Sequence, residues 1–198
     1  MIRTFIAVEL DSTLKQVIAG VQESLKRELH SLAAGTRLQW VRVDSIHLTL
    51  KFLGDIEEGQ VGEIVYALEE VGRAHEPFSV DVKGFGVFPT LRAPRVLWMG
   101  FSGQTERLSR LAQSIDATLL PFGFQLEPKP YTPHLTLARV KEQSRAIGNA
   151  LADSGVMRDF ANRGTLSIRA VALMKSERGP SGSVYSRLGQ ATLGHDKV

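Results

Sequence analysis

The tetrapeptide His-Leu-Thr-Leu occurs twice in this chain, at His47–Leu50 and at His134–Leu137, 87 positions apart. With five histidines and eleven threonines in the sequence, chance placement yields a His-x-Thr pair only about 0.3 times in a chain of this length. Two copies that share both leucines, each in a strand-like segment, are therefore not accidental. Residues i and i+2 of a strand lie on one face. His47 with Thr49, and His134 with Thr136, therefore form two polar pairs, while the leucines turn into the core.

The flanking pattern supplies the rest of the scaffold. Residues 2–9 suit a first strand, and Leu14, Ile18, Val21, Leu25, Leu29 and Leu32 then step by three or four, which predicts a long amphipathic helix ended by Gly35. A short extended piece over 38–43 and a turn at Asp44-Ser45 lead into the first motif strand, 46–53. Val61, Ile64, Val65, Leu68 and Val71 mark a second helix. Val- and Phe-rich segments at 78–88 and 95–101 read as paired strands. Leu108, Leu111, Ile115 and Leu119 form a third helix that stops before Pro121. The second motif strand covers 134–140, a fourth helix 142–153, and 165–174 with 183–190 make a closing strand pair. Gly179 to Ser183 reads as a mobile loop. This order predicts an α+β fold of antiparallel or mixed sheets backed by helices. No linker divides it, so residues 1–198 are expected to form a single domain.

Composition narrows the chemistry. The 198 residues are 43% hydrophobic and 23% charged, which suits a soluble globular protein. No apolar run is long enough for a membrane span, and the short run Phe5-Ile6-Ala7-Val8 is closed by Glu9 and Asp11, which reads as a cytoplasmic protein without a signal peptide. With no cysteine, thiolate metal sites, disulfides and cysteine nucleophiles are excluded. A net charge of +3 hints at an anionic partner without the dense basic runs of a nucleic-acid tail.

Two facing His-x-Thr pairs suit a phosphate ester. In-line displacement at phosphorus needs a base on the attacking water and an acid on the leaving oxygen, at opposite ends of the reaction axis. Imidazole titrates near neutrality, so one ring can accept a proton while the other donates one. Threonine hydroxyls can hold the non-bridging oxygens. A strained cyclic phosphodiester needs neither metal nor cofactor for this, and the sequence offers no carboxylate cluster suited to a metal pair.

With both motifs, the chain resembles the 2H phosphoesterase superfamily, and within it the RNA 2′,3′-cyclic phosphodiesterases first described as 2′-5′ RNA ligases. The resemblance extends over Arg3-Thr4-Phe5-Ile6-Ala7, Trp40-Val41-Arg42, Lys51-Phe52-Leu53-Gly54, Gly86-Val87-Phe88-Pro89, Pro94-Arg95-Val96-Leu97-Trp98 and Ala138-Arg139-Val140. It implies a bilobal fold in which two sheets line a central cleft, helices lie outside, and a pseudo-twofold axis relates the lobes. It further implies hydrolysis of 2′,3′-cyclic phosphate ends of RNA to a 2′-phosphomonoester, with reverse 2′-5′ ligation. His47 would be the proton donor and His134 the proton acceptor. Thr49, Thr136 and Arg139 would bind phosphate, and Phe5 would stack on the terminal base. The expected partners are RNA 3′ ends, tRNA fragments among them, met by a monomer. Alternatives are a 2H hydrolase of a small cyclic nucleotide phosphate and a non-catalytic RNA 3′-end binding module.

Strict alternation conflicts with one of these roles. Counted from His134, Arg139 falls on the leucine face, so a phosphate contact requires the strand to end, twist or bulge before it. Lys51 has the parity of His47 and Thr49, which would allow a second cation along the cleft, although lysines at strand ends are more often simply solvated. His30, His75 and His195 earn no role.

Overall fold

The computed structural model describes residues 1–33, 35–179 and 182–194. His195 lies outside the described residues, as do Pro180 and Ser181 of the Gly179–Ser183 segment. The elements run β1 (Ile2–Glu9), α1 (Ser12–Leu32), β2 (Leu38–Trp40), β3 (His47–Ile56), α2 (Val61–Ala74), β4 (Phe78–Phe88), β5 (Val96–Gly103), α3 (Thr105–Leu119), β6 (Leu135–Val140), α4 (Ser144–Asp153), β7 (Asn162–Ile168), β8 (Ala170–Gly179) and β9 (Gly182–Thr192). Asp11 starts α1 by accepting the Leu14 N–H at 2.7 Å, the usual work of an N-cap carboxylate. The leucine stripe of α1 is buried as its spacing requires, except Leu32, which is exposed at the helix end. Among the described residues, no helix is long and apolar enough to cross a membrane.

The strands form one sheet in the order β7-β4-β5-β6-β3-β1-β8-β9, with β2 added beside β6. Every pairing is antiparallel. The two sheets expected from the resemblance are thus halves of one curled sheet, joined where Leu48 of β3 pairs with Leu135 of β6. The order is palindromic about that junction. From β1-α1-β3-α2-β4 and β5-α3-β6-α4-β8, equivalent strands occupy equivalent places on either side. The third strand of each unit crosses over: β4 pairs with β5, and β8 pairs with β1.

The segment 165–174, expected as one strand, is split at Arg169. Residues up to Ile168 pair with β4 at one end of the sheet, while residues from Ala170 pair with β1 and β9 near the other. One residue links strands so far apart in the order only because the sheet curls until its ends approach. Of the segment expected as a mobile loop, Gly179 and Gly182 are paired in the β8–β9 ladder, as are Arg178 and Ser183.

Both motif strands carry a β-bulge at the same step. Against β1, Ala7 pairs with Thr49 but Ile6 with Lys51, so Leu50 is the extra residue. Against β5, Trp98 pairs with Thr136 but Leu97 with Ala138, so Leu137 is the extra residue. A bulge resets the alternation after it. Leu50 and Lys51 are consequently both buried, so Lys51 neither lies along the cleft, as its parity would allow, nor is solvated. Its ammonium instead pairs with Asp116 of α3 and donates to the Gln125 carbonyl at 2.8 Å. Asp116 also accepts the Glu127 N–H at 3.2 Å. This pins β3 to α3 from behind. Breaking a buried ion pair strands a charge, at a cost of about 3–5 kcal/mol. In urea unfolding, Asp116→Ala is expected to lose stability of that order, whereas the apolar pair Lys51→Met with Asp116→Leu recovers most of it.

Candidate active site

The sheet junction opens into a cavity of about 360 Å³ whose lining includes His47, Thr49, His134, Thr136 and Arg139. All five of the expected catalytic and phosphate-binding side chains therefore meet in one place. Extending the Leu48–Leu135 register sets His47 opposite Thr136 and His134 opposite Thr49. The histidines lie on one diagonal and the threonines on the other. Diagonal neighbours on adjacent antiparallel strands lie roughly 7–8 Å apart, with their Cβ atoms somewhat closer, which leaves room for one tetrahedral group between two rings.

Each ring is fixed in the same way. Nδ1 of His47 lies 2.8 Å from the Ser45 carbonyl, and Nδ1 of His134 lies 2.8 Å from the Thr132 carbonyl, in both cases two residues upstream. A carbonyl only accepts, so Nδ1 carries the hydrogen and donates. In the neutral ring Nε2 is then the free basic nitrogen. Aromatic rings flank both: Phe5 stacks on His47 at 4.6 Å with Tyr185 edge-on at 5.0 Å, and Phe88 and Trp98 lie 5.0 and 5.9 Å from His134. Gly86 makes room for Trp98, since a Cβ there would come within 2.1 Å of the indole.

These walls exclude water and so disfavour the charged form. Burial pushes His47 down to about 4; the Ser45 carbonyl works against this, and the nearby His134 adds to it. Burial also lowers His134, opposed by the Thr132 carbonyl and reinforced by Arg139. At neutral pH both imidazoles are accordingly neutral.

The bulge supplies what strict alternation forbade. Beyond Leu137 and Ala138, both buried, Arg139 emerges on the cleft side. At the corresponding place in β3, beyond Leu50 and Lys51, stands Phe52, which lines the cavity and is 69% exposed. Phe5 also lines the cavity but is only 3% exposed, its ring committed to His47. Phe52, one of several aromatics the sequence offers as core or rim residues, presents the most open aromatic face at the mouth. Two further supports were not legible. The Tyr131 hydroxyl donates to the Thr49 carbonyl at 2.9 Å, with burial raising its phenol. Gln22, buried in α1, donates to the carbonyls of Val41 and of the bulged Leu137, both at 2.9 Å. A lone Gln in a leucine-rich helix gives no signal of this task. His75, outside the cleft, contacts the Ser114 hydroxyl at 2.8 Å.

The sequence pattern of the family described as LigT like Phosphoesterase matches the chain twice, over residues 14–98 and 101–185, two spans again offset by 87. The chain belongs to this phosphoesterase family. Among relatives of this LigT-like chain, an RNA 2′,3′-cyclic phosphodiesterase of Methanothermobacter thermautotrophicus is 34% identical over 93% of this chain and 95% of that one. Another, from Aquifex aeolicus, is 30% identical over 98% of each. The crystal structure of TT0787 of Thermus thermophilus superposes with a TM-score of 0.77 at 25% identity, covering 98% of this chain and 99% of that one. E. coli LigT in its apo form shares the fold, with a TM-score of 0.70 at 21% identity over 98% of each chain.

In this LigT-like site the Phe5 ring covers one face of the buried His47 imidazole. Phe5→Leu is expected to let the His47 value rise from about 4 toward the ordinary 6.5, because water then solvates the imidazolium. A ¹H–¹³C NMR titration of the histidine ring signals measures the shift.

Proposed function

We propose that this protein hydrolyses RNA 2′,3′-cyclic phosphodiester ends to 2′-phosphomonoesters, by general acid and base catalysis from two histidines without a metal. The observation that carries this is the diagonal His-Thr quartet with both Nε2 atoms left free, supported by the names of relatives that match nearly the whole chain. Residues 1–198 act as one domain of two lobes, each contributing one motif strand. The substrates are RNA 3′ ends bearing a cyclic phosphate, tRNA fragments among them, met in the cytoplasm by a monomer.

In the forward step His134 Nε2 takes a proton from water as the water oxygen forms a bond to phosphorus. The bond from phosphorus to the 3′ oxygen breaks in line, and His47 Nε2–H gives its proton to that oxygen. The products are a 3′ hydroxyl and a 2′-phosphomonoester. With a ribose 5′ hydroxyl attacking in place of water, the same forward geometry forms a 2′-5′ phosphodiester and releases the 3′ hydroxyl, which is 2′-5′ ligation; run in reverse, it cleaves that linkage. Thr49 and Thr136 donate hydroxyl hydrogen bonds to the non-bridging oxygens, and Arg139 adds charge as they gain it. The cation beside His134 disfavours its imidazolium, which suits a base. Burial opposes protonation of His47, and the substrate's negative charge, set in a water-poor cleft, reverses that opposition. Phe5 braces His47, and Phe52 offers a face to the terminal base.

Positioned proton transfer contributes about 10²- to 10⁴-fold. His47→Ala and His134→Ala are each expected to lower kcat by that factor on an oligoribonucleotide with a 2′,3′-cyclic end, with full wild-type activity in EDTA. Wild-type turnover by either variant sinks the assignment, and so does a 3′-phosphate product. Catalysis requires one ring charged and one neutral. Both titrations lie below 6.5 in the free protein, so kcat/KM is expected to peak below about pH 6.5 and to fall as pH rises through neutrality. The kcat profile, which reports the bound complex, is expected to shift to higher pH.

A further inference from the structure

The catalytic cavity continues into a second groove of about 350 Å³, and the two share Val41, Ser45, Arg139 and Tyr185 as walls. Three more cations line the groove. Arg42 follows β2, Lys141 follows β6, and Arg178 stands near the end of β8. All three are at least partly open to solvent. No carboxylate is among the described residues of the lining. None of Arg42, Arg139, Lys141 and Arg178 joins an ion pair among the described residues. In a chain with 21 acidic residues against 24 basic ones, this is a local concentration of uncompensated positive charge. Trp40 and Tyr185 add aromatic surface to the same walls.

A single reacting phosphate already has the two threonines and Arg139, and it leaves Arg42, Lys141 and Arg178 with nothing to bind. A narrow cationic groove with aromatic walls is the arrangement that follows a single strand by its backbone. We propose that this groove binds the phosphodiesters on the 5′ side of the reacting end, so that the enzyme acts on oligonucleotides in preference to mononucleotides. Arg139, common to both cavities, is the link between the cyclic phosphate and the next phosphate along the strand. The inference rests on the cyclic phosphodiesterase reading and adds the length of RNA that the site engages.

The test compares a nucleoside 2′,3′-cyclic monophosphate with di-, tri- and tetraribonucleotides carrying the same cyclic end. It uses the wild type and the triple variant Arg42→Ala, Lys141→Ala, Arg178→Ala. For the wild type, kcat/KM is expected to rise at least about tenfold with length, through KM, as charge-assisted contacts accumulate. The triple variant is expected to lose that rise while hydrolysing the mononucleotide at the wild-type rate. Its log–log salt dependence on the tetranucleotide is expected to flatten by about 2, near 0.7 for each phosphate contact removed. An unchanged length dependence in the variant overturns the inference, and so does an equal loss on the mononucleotide. Fluorescence anisotropy with a 3′-hydroxyl tetranucleotide tests the groove independently of turnover. If no cyclic phosphate is hydrolysed but the variant still loses affinity, the reaction assignment fails and the groove stands. Wild-type affinity in the variant removes the groove.

Discussion

The two histidines face one another because β3 and β6 meet at Leu48 and Leu135. That pairing is the seam at which the two halves of the sheet join in the strand order, and its register decides which side chains share the cleft. A slip of one residue turns every polar side chain of a motif toward the leucine core. Register is held here by burial on the far side: Leu48, Leu50, Leu135 and Leu137 sit in one hydrophobic cluster with the inner faces of the helices. The ion pair between Lys51 and Asp116 and the Gln22 amide clamp the same strands from behind. Site geometry is therefore set by the core, several residues removed from any reacting atom.

Burial that organises the rings also suppresses their charge. Four aromatic side chains hold the imidazoles and carbonyls fix their tautomers, so both begin neutral and correctly oriented. Protonation is delayed until an anion enters. The arrangement keeps two positive rings from repelling each other across the cleft, and the substrate completes the acid only when it is in position to use it.

Much of this was legible in the sequence because it depends on spacing. The duplicated motif, the helix stripes and the polar pairs follow from periods of two and of three to four. What alternation could not reach was the bulge after each threonine. The need for one before Arg139 was visible as a conflict of parity, but the same device in β3 was not. Parity accordingly allowed Lys51 a place along the cleft and did not separate Phe52 from the other rim aromatics. The break at Arg169 leaves no local signal for a related reason: a single residue without glycine or proline separates two strands whose partners are far apart in sequence. Tyr131 and Gln22 act through long-range hydrogen bonds to backbone, which leave no local pattern.

The crossing of β4 and β8 between the halves carries one more implication. Each half of the sequence gives away its third strand and receives the other's, so neither half owns a complete sheet. Cut between the repeats, the first segment would keep an unpaired β1 edge and the second an unpaired β5 edge, each a bare row of backbone donors and acceptors. The duplication is interlocked, and one repeat alone is half of a clasp.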